Sequence, residues 1–288
     1  MTLRHLKIFV LVCECGSMTE AASRLYISQP SVSQAIRELE SHYGIRVFER
    51  IGKRLVMTET GGQLLGYARH ILSLMSEMEK AISNVSVLKI GATLTVGEVV
   101  MPSLIAEFQN CFSATEVQVL IKNTDELLKA IEEGNLDLAL IEGKVETQAM
   151  ISIPIVEDEV ICVCGRNHPL YLKSVEDFRI IDDMAFISRE KGSGTRAQVE
   201  EAFAALGIMP RFTWECNSFD SIRSATLKGL GIAAISRDMI QAELDSKSLW
   251  EIRIPALKLN RFFSLVYHKN KYMTDEMRGI IKLIEARG

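Results

Sequence analysis

Two turns in the C-terminal half of the chain place hydroxyl groups where a predicted strand ends and a helix begins. Residues 93–95 follow the first such strand, and residues 193–196 follow a later one. A helix N-terminus carries unpaired backbone N–H groups and a partial positive charge, so each turn can bind an anion. Ligands of open α/β folds sit at the carboxyl ends of strands. The two turns, with one residue after a third strand, therefore predict an anion site formed by Thr93, Leu94, Thr95, Ser193, Gly194, Thr195, Arg196 and Asn217.

The same turns have other interpretations. Ser and Thr are preferred N-cap residues, so an ordinary capping role stays open for both. Glu142 ends another predicted strand, where its carboxylate is placed to face an ammonium group of a ligand. Gly192 and Gly194 begin a G-x-G-x-x-A pattern, with Glu215 about twenty residues on, which outlines a dinucleotide-binding motif. That motif needs its turn at the strand's end, whereas three polar residues precede Gly192 here. The sequence thus favours a binding protein over an NAD-dependent enzyme.

A helix near the N-terminus has one apolar and one polar face. At about 100° per residue, its apolar residues predict a core face made by Val32, Ile36, Leu39 and Tyr43. The opposite face and the first turn are small and polar, with one arginine, as the major groove of DNA accepts. An alternative is a merely solvated face. The candidate DNA-reading residues are Ser28, Gln29, Pro30, Ser33, Gln34 and Arg37.

The segment that follows predicts a β-hairpin beside this helix. Residues 47–56 alternate around a Gly–Lys turn, and we expect Arg50, Lys53 and Arg54 to lie near DNA phosphates. Residues 1–58 hold eight Lys or Arg and five Glu, a net charge of +3. Since the whole chain is −4, the remainder is −7. This distribution suits a DNA-binding head joined to a body that does not touch DNA.

More than a dozen of these N-terminal positions resemble the signature of LysR-type transcriptional regulators, at the same spacing. The matched positions are Phe9, Gly16, Ser17, Ala21, Ala22, Leu25, residues 28–33, Ile36, Leu39, Glu40, Gly44, Phe48, Arg50, Thr58 and Gly61. Val47 departs from the pattern, because the family usually has Leu there. The resemblance implies a bacterial regulator with a winged helix-turn-helix over residues 1–58 that binds double-stranded DNA at a near-palindromic operator.

Residues 59–87 contain no proline and predict one long helix, which begins at Thr58 or at a capping box from Thr60 to Gln63. Apolar residues step along it by four and three, as in a two-chain coiled-coil seam. These predicted dimerisation residues are Leu64, Ala68, Ile71, Met75, Met78 and Ile82, with Val85 next in the series. The resemblance agrees, since similar linker helices pair subunits, and it implies a homodimer or a homotetramer built as a dimer of dimers.

Beyond residue 88, strands alternate with helices, which predicts an α/β domain with a mostly parallel sheet. The layout resembles the two-lobed, periplasmic-binding-protein-like sensing domain of the same family. We expect a first effector-binding lobe over residues 88–161 and 267–288, and a second over residues 162–266. Similar R-E-x-G-S-G-T-R segments, here residues 189–196, occur in family members that regulate the assimilation of inorganic anions and of carbon, which suggests an oxyanion or a small carboxylate as the effector. The resemblance therefore implies a small anionic effector bound between the lobes, with no other cofactor.

The remaining expectations concern compartment and partners. No apolar stretch approaches the roughly 20 residues that span a bilayer. Six cysteines at these spacings suit neither a disulfide framework nor a zinc site, and we expect reduced, structural thiols. The sequence thus predicts a cytoplasmic protein that has no membrane partner and is not an enzyme. The resemblance adds RNA polymerase as a further partner.

Overall fold

The computed structural model describes residues 1–287 except 53, 83–85, 144, 146, 176, 177 and 183, and it leaves out the side chains of residues 77, 80–82 and 178. Residues 1–86 form one compact unit, and most of residues 87–287 form a second. None of the described helices is both long and apolar enough to cross a membrane.

The N-terminal unit has three short helices, a hairpin and a long helix. Its elements are α1 (Leu3–Cys15), α2 (Met18–Arg24), α3 (Gln29–Tyr43), β1 (Phe48–Ile51), β2 (Arg54–Met57) and α4 (Glu59–Ile82). Gly16 and Gly44 end α1 and α3 with φ of 61° and 66°, a left-handed conformation that costs glycine little. The side chains of Ser17 and Ser28 accept hydrogen bonds at the starts of α2 and α3. These N-terminal caps and C-terminal glycines thus set ends of the three predicted helices.

One apolar core holds this unit together. Phe9 of α1, Ala21 of α2 and Val32 of α3 are fully buried in it. Leu39 closes the core face of α3, as predicted. The prediction for Tyr43 is wrong, because 45% of this residue is exposed. It lies in the last turn of α3, beyond the core, and its hydroxyl donates to the sulfur of Met1 at 2.9 Å.

Thr58 caps helix α4, because its Oγ1 accepts the backbone N–H of Gly61 at 2.9 Å. Leu65 and Ala68 of α4 are buried in the core of their own unit, and Leu64 packs against it. Ala68 is 0% exposed, so it has no surface left for a partner chain. The prediction that Ala68 is a dimerisation residue is therefore wrong. The predicted stripe failed there because the first turns of α4 close the N-terminal core.

The C-terminal unit contains a mixed sheet with helices on its faces. Its elements are β3 (Val87–Ala92), α5 (Leu94–Val99), α6 (Met101–Cys111), β4 (Glu116–Ile121), α7 (Thr124–Glu132), β5 (Leu138–Glu142), β6 (Met150–Gly165), β7 (Ala185–Arg189), α8 (Gly194–Ala205), β8 (Arg211–Cys216), α9 (Phe219–Leu227), β9 (Ile232–Ser236), α10 (Gln241–Asp245), β10 (Leu249–Glu251), β11 (Asn260–His268) and α11 (Asp275–Glu285). Short 3₁₀ helices cover Phe178–Ile181 and Arg237–Ile240.

The described strands join in the order β4-β3-β5-β11-β6-β9-β7-β8, with β10 on β6. Pairing is parallel within β4-β3-β5 and within β9-β7-β8, as predicted. In the centre, β11 and β6 run antiparallel to their neighbours, so the expected mostly parallel sheet is wrong there. The 16-residue β6 pairs with β11 along its first part and with β9 along its second. It therefore joins two lobes: the first contains β3, β4, β5 and β11, and the second contains β7 to β10.

The cysteines are free thiols, as the sequence predicts. Cys162, Cys164 and Cys216 are buried in the second lobe. Burial raises the pKa of Cys162 to about 12, and burial is also the largest cause that raises the pKa of Cys13 to about 12. A thiol is reactive as its thiolate, and these raised pKa values keep both groups protonated near neutral pH.

Candidate functional site

The polar face of α3 is exposed and carries a connected set of donors. Arg37 donates from Nη1 to Ser33 Oγ at 2.9 Å and from Nη2 to Gln34 Oε1 at 2.7 Å. Gln34 in turn donates to Glu38 Oε1 at 2.8 Å. These contacts hold the Arg37 guanidinium flat along one face of the helix. Since a guanidinium has five N–H donors in a fixed fork, donors remain for a base edge.

The predicted DNA-binding residues at the start of α3 differ in their contacts and exposure. Ser28 caps the helix, because its Oγ accepts the Ser31 N–H at 3.3 Å and also contacts Ser31 Oγ at 2.8 Å. Pro30 is exposed next to it, and Gln29 is half-buried. A helix N-terminus that ends in exposed polar groups is suited to a phosphate contact.

The hairpin forms in the predicted register, with Ile51 opposite Arg54 and Gly52 in the turn at φ 64°. Arg50 and Arg54 are exposed on its two strands. Lys53 lies outside the described residues. The two arginines give the hairpin a positive edge, and we find no carboxylate bonded to either within the part of the chain that the structure describes.

The two predicted anion turns do meet in the C-terminal unit, and the anion between them belongs to the chain itself. Glu142, at the end of β5, accepts the Thr95 N–H at 3.3 Å and the Thr195 hydroxyl at 3.2 Å. Thr95 lies in the first turn of α5 in the first lobe, and Thr195 lies in the first turn of α8 in the second. Glu142 therefore bridges the lobes and faces hydroxyl and N–H donors rather than a ligand ammonium group.

A buried arginine completes this cluster. Arg261 of β11 donates to Asp158 of β6 at 2.6 Å and to Thr195 Oγ1 at 2.7 Å, and its Nη1 lies 3.7 Å from Glu142 Oε2. Ser236 of β9 donates to the other oxygen of Asp158 at 2.5 Å. Burial alone would raise the pKa of Glu142, but the Arg261 charge and the two hydrogen bonds lower it overall. The carboxylate is thus ionised inside the protein.

A cavity of about 790 Å³ opens beside the cluster, between the two lobes. Its lining includes Thr124, Ser193, Gly194 and Arg261. Three buried donors of this lining, Thr124 Oγ1, Ser193 Oγ and Arg261 Nη2, and one buried acceptor, Gln198 Oε1, have no hydrogen-bond partner among the described residues. Buried polar groups normally are paired, so the set marks a place where a ligand or water binds. The sequence did not indicate Thr124 or Arg261; an arginine inside the apolar strand β11 was the signal.

Arg196 differs from its predicted role. Its side chain is 8% exposed, and its guanidinium donates to Glu200 at 2.8 Å, to Glu215 at 2.6 Å and to the Arg189 carbonyl at 3.1 Å. It also lies 4.8 Å above the centre of the Phe212 ring. Two carboxylates already balance this charge, so Arg196 supports α8 on β8 although it lines the cavity. Glu215, the dinucleotide-motif acid, is one of these partners.

The other predicted effector residues lie around the same junction with different exposure. Thr93 is the N-cap of α5, and its buried Oγ1 is unpartnered within the described chain. Leu94 lines a separate cavity of only about 20 Å³, together with Thr95 and Thr195. Asn217 is exposed in the turn between β8 and α9.

Comparison with known proteins assigns both units. Residues 3–62 match the family of bacterial regulatory helix-turn-helix proteins of the lysR type, and residues 83–288 match the LysR substrate binding domain. The chain is 31% identical to the HTH-type transcriptional regulator YeiE of Escherichia coli K12, over 98% of this chain and 96% of that one. It is 29% identical to the regulator CysL of Bacillus subtilis 168, with the same coverages of 98% and 96%.

Solved structures have the same fold. A full-length variant of OxyR from Pseudomonas aeruginosa matches with a TM-score of 0.65 at 20% identity, covering 100% of this chain and 94% of that one. The effector binding domain of QuiR, solved in complex with shikimate, matches with a TM-score of 0.63 at 20% identity, covering 71% and 97%. With a DNA-binding head, a two-lobed sensing unit and both family matches, the chain belongs to the LysR family of transcriptional regulators.

Proposed function

We propose that this regulator is a cytoplasmic homo-oligomer that binds a near-palindromic operator and responds to a small anion. Its domains are the DNA-binding head over residues 1–58, the linker helix over 59–87, a first lobe over 88–161 and 260–288, and a second lobe over 162–259. The predicted lobe boundary at residue 267 moves to Asn260, because β11 pairs with β5 of the first lobe. Arg37 and Gln34 read bases, while Arg50 and Arg54 contact phosphates. RNA polymerase is its partner at the promoter.

The unpartnered donors at the cavity between the lobes carry the effector proposal. A buried donor without a partner costs about 1–3 kcal/mol. An anion offers only acceptors, so one ligand can satisfy the hydroxyls of Thr124 and Ser193 and the free Nη2 of Arg261 together. Thr124 lies in the first lobe and Ser193 in the second, so the bound anion favours one arrangement of the lobes.

The contacts of Glu142 place the proposed anion at a different position from the one predicted at the two turns. Because its carboxylate occupies the donors of Thr95 and Thr195, the effector binds beside it, on the cavity side of Arg261. Thr95 and Thr195 then act on the effector through Glu142 and Arg261. Arg261 also keeps Asp158 as a second carboxylate partner. Its single positive charge is thus shared by two resident carboxylates before an effector arrives.

A thermal-shift screen tests the proposal with sulfate, phosphate, bicarbonate, acetate and malonate, against chloride at equal ionic strength. A ligand of the native state stabilises it by about 2.7 kcal/mol at 100 times its Kd. We expect at least one anion to raise the melting temperature, and Ser193→Ala and Thr124→Val to reduce that shift. Ser174→Ala, at an exposed position outside the cavity, is the matched control. An equal shift in wild type and Ser193→Ala would place the site elsewhere.

Helix α4 supports the proposed dimer with a corrected seam. Among the described side chains of this helix, the large apolar ones that are exposed are Tyr67 (68%), Ile71 (40%), Leu74 (36%) and Met78 (52%). They step by four, three and four residues, so they form one stripe at heptad spacing. Ile71 and Met78 belong to the predicted series, whereas Met75 is half-buried on the flank and the side chain of Ile82 lies outside the described part. A second copy of α4 along this stripe removes the exposed apolar surface from water.

A further inference from the structure

A second cavity lies entirely within the first lobe and is lined almost wholly by apolar side chains. Its volume is about 210 Å³. Val96 and Val99 of α5, Leu140 of β5, Phe263 of β11 and Ile284 of α11 are among its walls. An apolar cavity of about 150 Å³ stays dry and binds benzene. This larger cavity therefore has room for a benzene-sized ring and a short polar group.

One positively charged side chain also lines this cavity. Arg287, just after α11, lines the cavity and is 29% exposed in its side chain. It donates from Nη1 to Ser103 at 2.8 Å and from Nη2 to Glu107 at 2.7 Å. Five guanidinium N–H groups are available in all, so three remain for a ligand. Since the Glu107 side chain is 52% exposed, it can turn toward water at little cost when another carboxylate binds.

The cavity adjoins the buried cluster between the lobes through shared strands. Leu140 lies two residues before Glu142, and Phe263 lies two residues after Arg261, so each pair is on one face of its strand. The register places Phe263 opposite Glu142. The Arg261 guanidinium also lies 5.8 Å from the centre of the Phe263 ring. One aromatic ring thus forms both a wall of this cavity and a neighbour of the ionic cluster.

We propose that this cavity is a second ligand site, which takes a small aromatic or branched aliphatic carboxylate with its hydrocarbon part inside and its carboxylate on Arg287. Apolar walls select the body of the ligand by burial. The guanidinium selects the charge through a bidentate, charge-assisted hydrogen bond. The site is distinct from the proposed effector cavity, because the residues described for the two cavities do not overlap.

Calorimetric titration of the full-length protein with phenylacetate, and with phenylacetamide as its neutral counterpart, tests the assignment. A hydrogen bond to a charged group contributes about 1.5–3 kcal/mol, which corresponds to roughly tenfold or more in Kd. We expect phenylacetate to bind at least tenfold more tightly than the amide. In Arg287→Gln the acid should fall to the affinity of the amide, while the amide is unchanged. This variant keeps the cavity and alters only a partly exposed side chain.

Three further variants locate the ligand. Val99 is 39% exposed, so Val99→Phe can fill the cavity from its rim and should abolish binding of both compounds. Leu230→Phe, at an exposed position outside the cavity, is the matched control and should bind like wild type. Thr195→Val, in the cluster between the lobes, should leave phenylacetate binding unchanged. The proposal is overturned by equal affinity for acid and amide, by binding that survives Val99→Phe, or by no binding to wild type at millimolar concentration.

Discussion

Replacing Glu142 with Gln removes one charge from the buried cluster and keeps the side chain's size. Glu142 is 3% exposed, accepts from Thr95 and Thr195, and lies 3.7 Å from Arg261. Breaking a buried ion pair from one side costs about 3–5 kcal/mol. Two features place the cost of Glu142→Gln at the lower end of this range. The amide oxygen still accepts one hydrogen bond, and Arg261 keeps Asp158 at 2.6 Å. We expect a loss of about 3 kcal/mol in the free energy of unfolding.

The loss depends on pH in a definite direction. The pKa of Glu142 is lowered in the folded protein from its ordinary value of 4.5, so the folded state favours the ionised form. That contribution is fully present above pH 4.5 and is lost as the pH falls through the lower, folded value. Gln does not titrate. The stability difference between wild type and Glu142→Gln should therefore be constant near neutral pH and shrink in acid.

Calorimetric melting of the full-length protein measures both effects. For domains of 150–250 residues, 1 kcal/mol shifts the melting temperature by about 2–4 °C, so Glu142→Gln should lower it by about 6–12 °C at pH 7. Glu200→Gln is the matched control, because Glu200 pairs with Arg196 at 2.8 Å but is 47% exposed. Its cost should stay below about 1 kcal/mol. An unchanged melting temperature for Glu142→Gln, or a difference that persists unaltered in acid, would refute this account of the cluster.

Five further substitutions, one of them a control, test the remaining proposals. Arg37→Ala should weaken operator binding far more than binding to random DNA, whereas Arg54→Ala should weaken both and reduce the salt slope by about one, as fluorescence anisotropy over a salt series can show; equal losses in Arg37→Ala would exclude base reading. Ile71→Lys should dissociate the dimer in sedimentation runs, and Ser76→Lys, exposed on the same helix, should not; an unchanged mass would exclude the seam. Thr195→Val should reduce the affinity for the anion that the thermal screen identifies, measured by calorimetry, and leave effector-free operator binding intact; unchanged affinity would exclude its role.

The DNA-binding head was predictable almost in full because its signals are local. Ser28 caps α3, Gly44 ends it, and the burial of Val32 and Leu39 follows from helical spacing alone. The prediction for Ala68 failed because its outcome depends on tertiary packing rather than on a local signal. Its position in a heptad suggested a partner chain, but only the packing of α4 on the core of the same unit decides which stripe is left exposed.

The cluster between the lobes shows where sequence reasoning reached its limit. The turns at Thr95 and Thr195 could be identified as anion-binding because a helix N-terminus is a local feature. It could not be predicted from the sequence that Glu142 would supply the anion, since 53 residues separate Glu142 from Thr195. Arg261 lies 103 residues from Asp158, and their pairing depends on β11 and β6 running antiparallel at the centre of the sheet. The long-range strand order thus determined what the local signals left open.

The position of Glu142 also bears on how an effector would act. A ligand shifts a conformational equilibrium only by its differential affinity for the two states. With Glu142 on the donors of Thr95 and Thr195, the lobes are already bridged before any effector binds. An anion at Ser193 and Arg261 adds negative charge beside this carboxylate. Closure of the lobes is therefore not the response that the cluster favours. Competition for Arg261 weakens the resident bridge, so the proposed effector should act by loosening one interlobe contact while forming another.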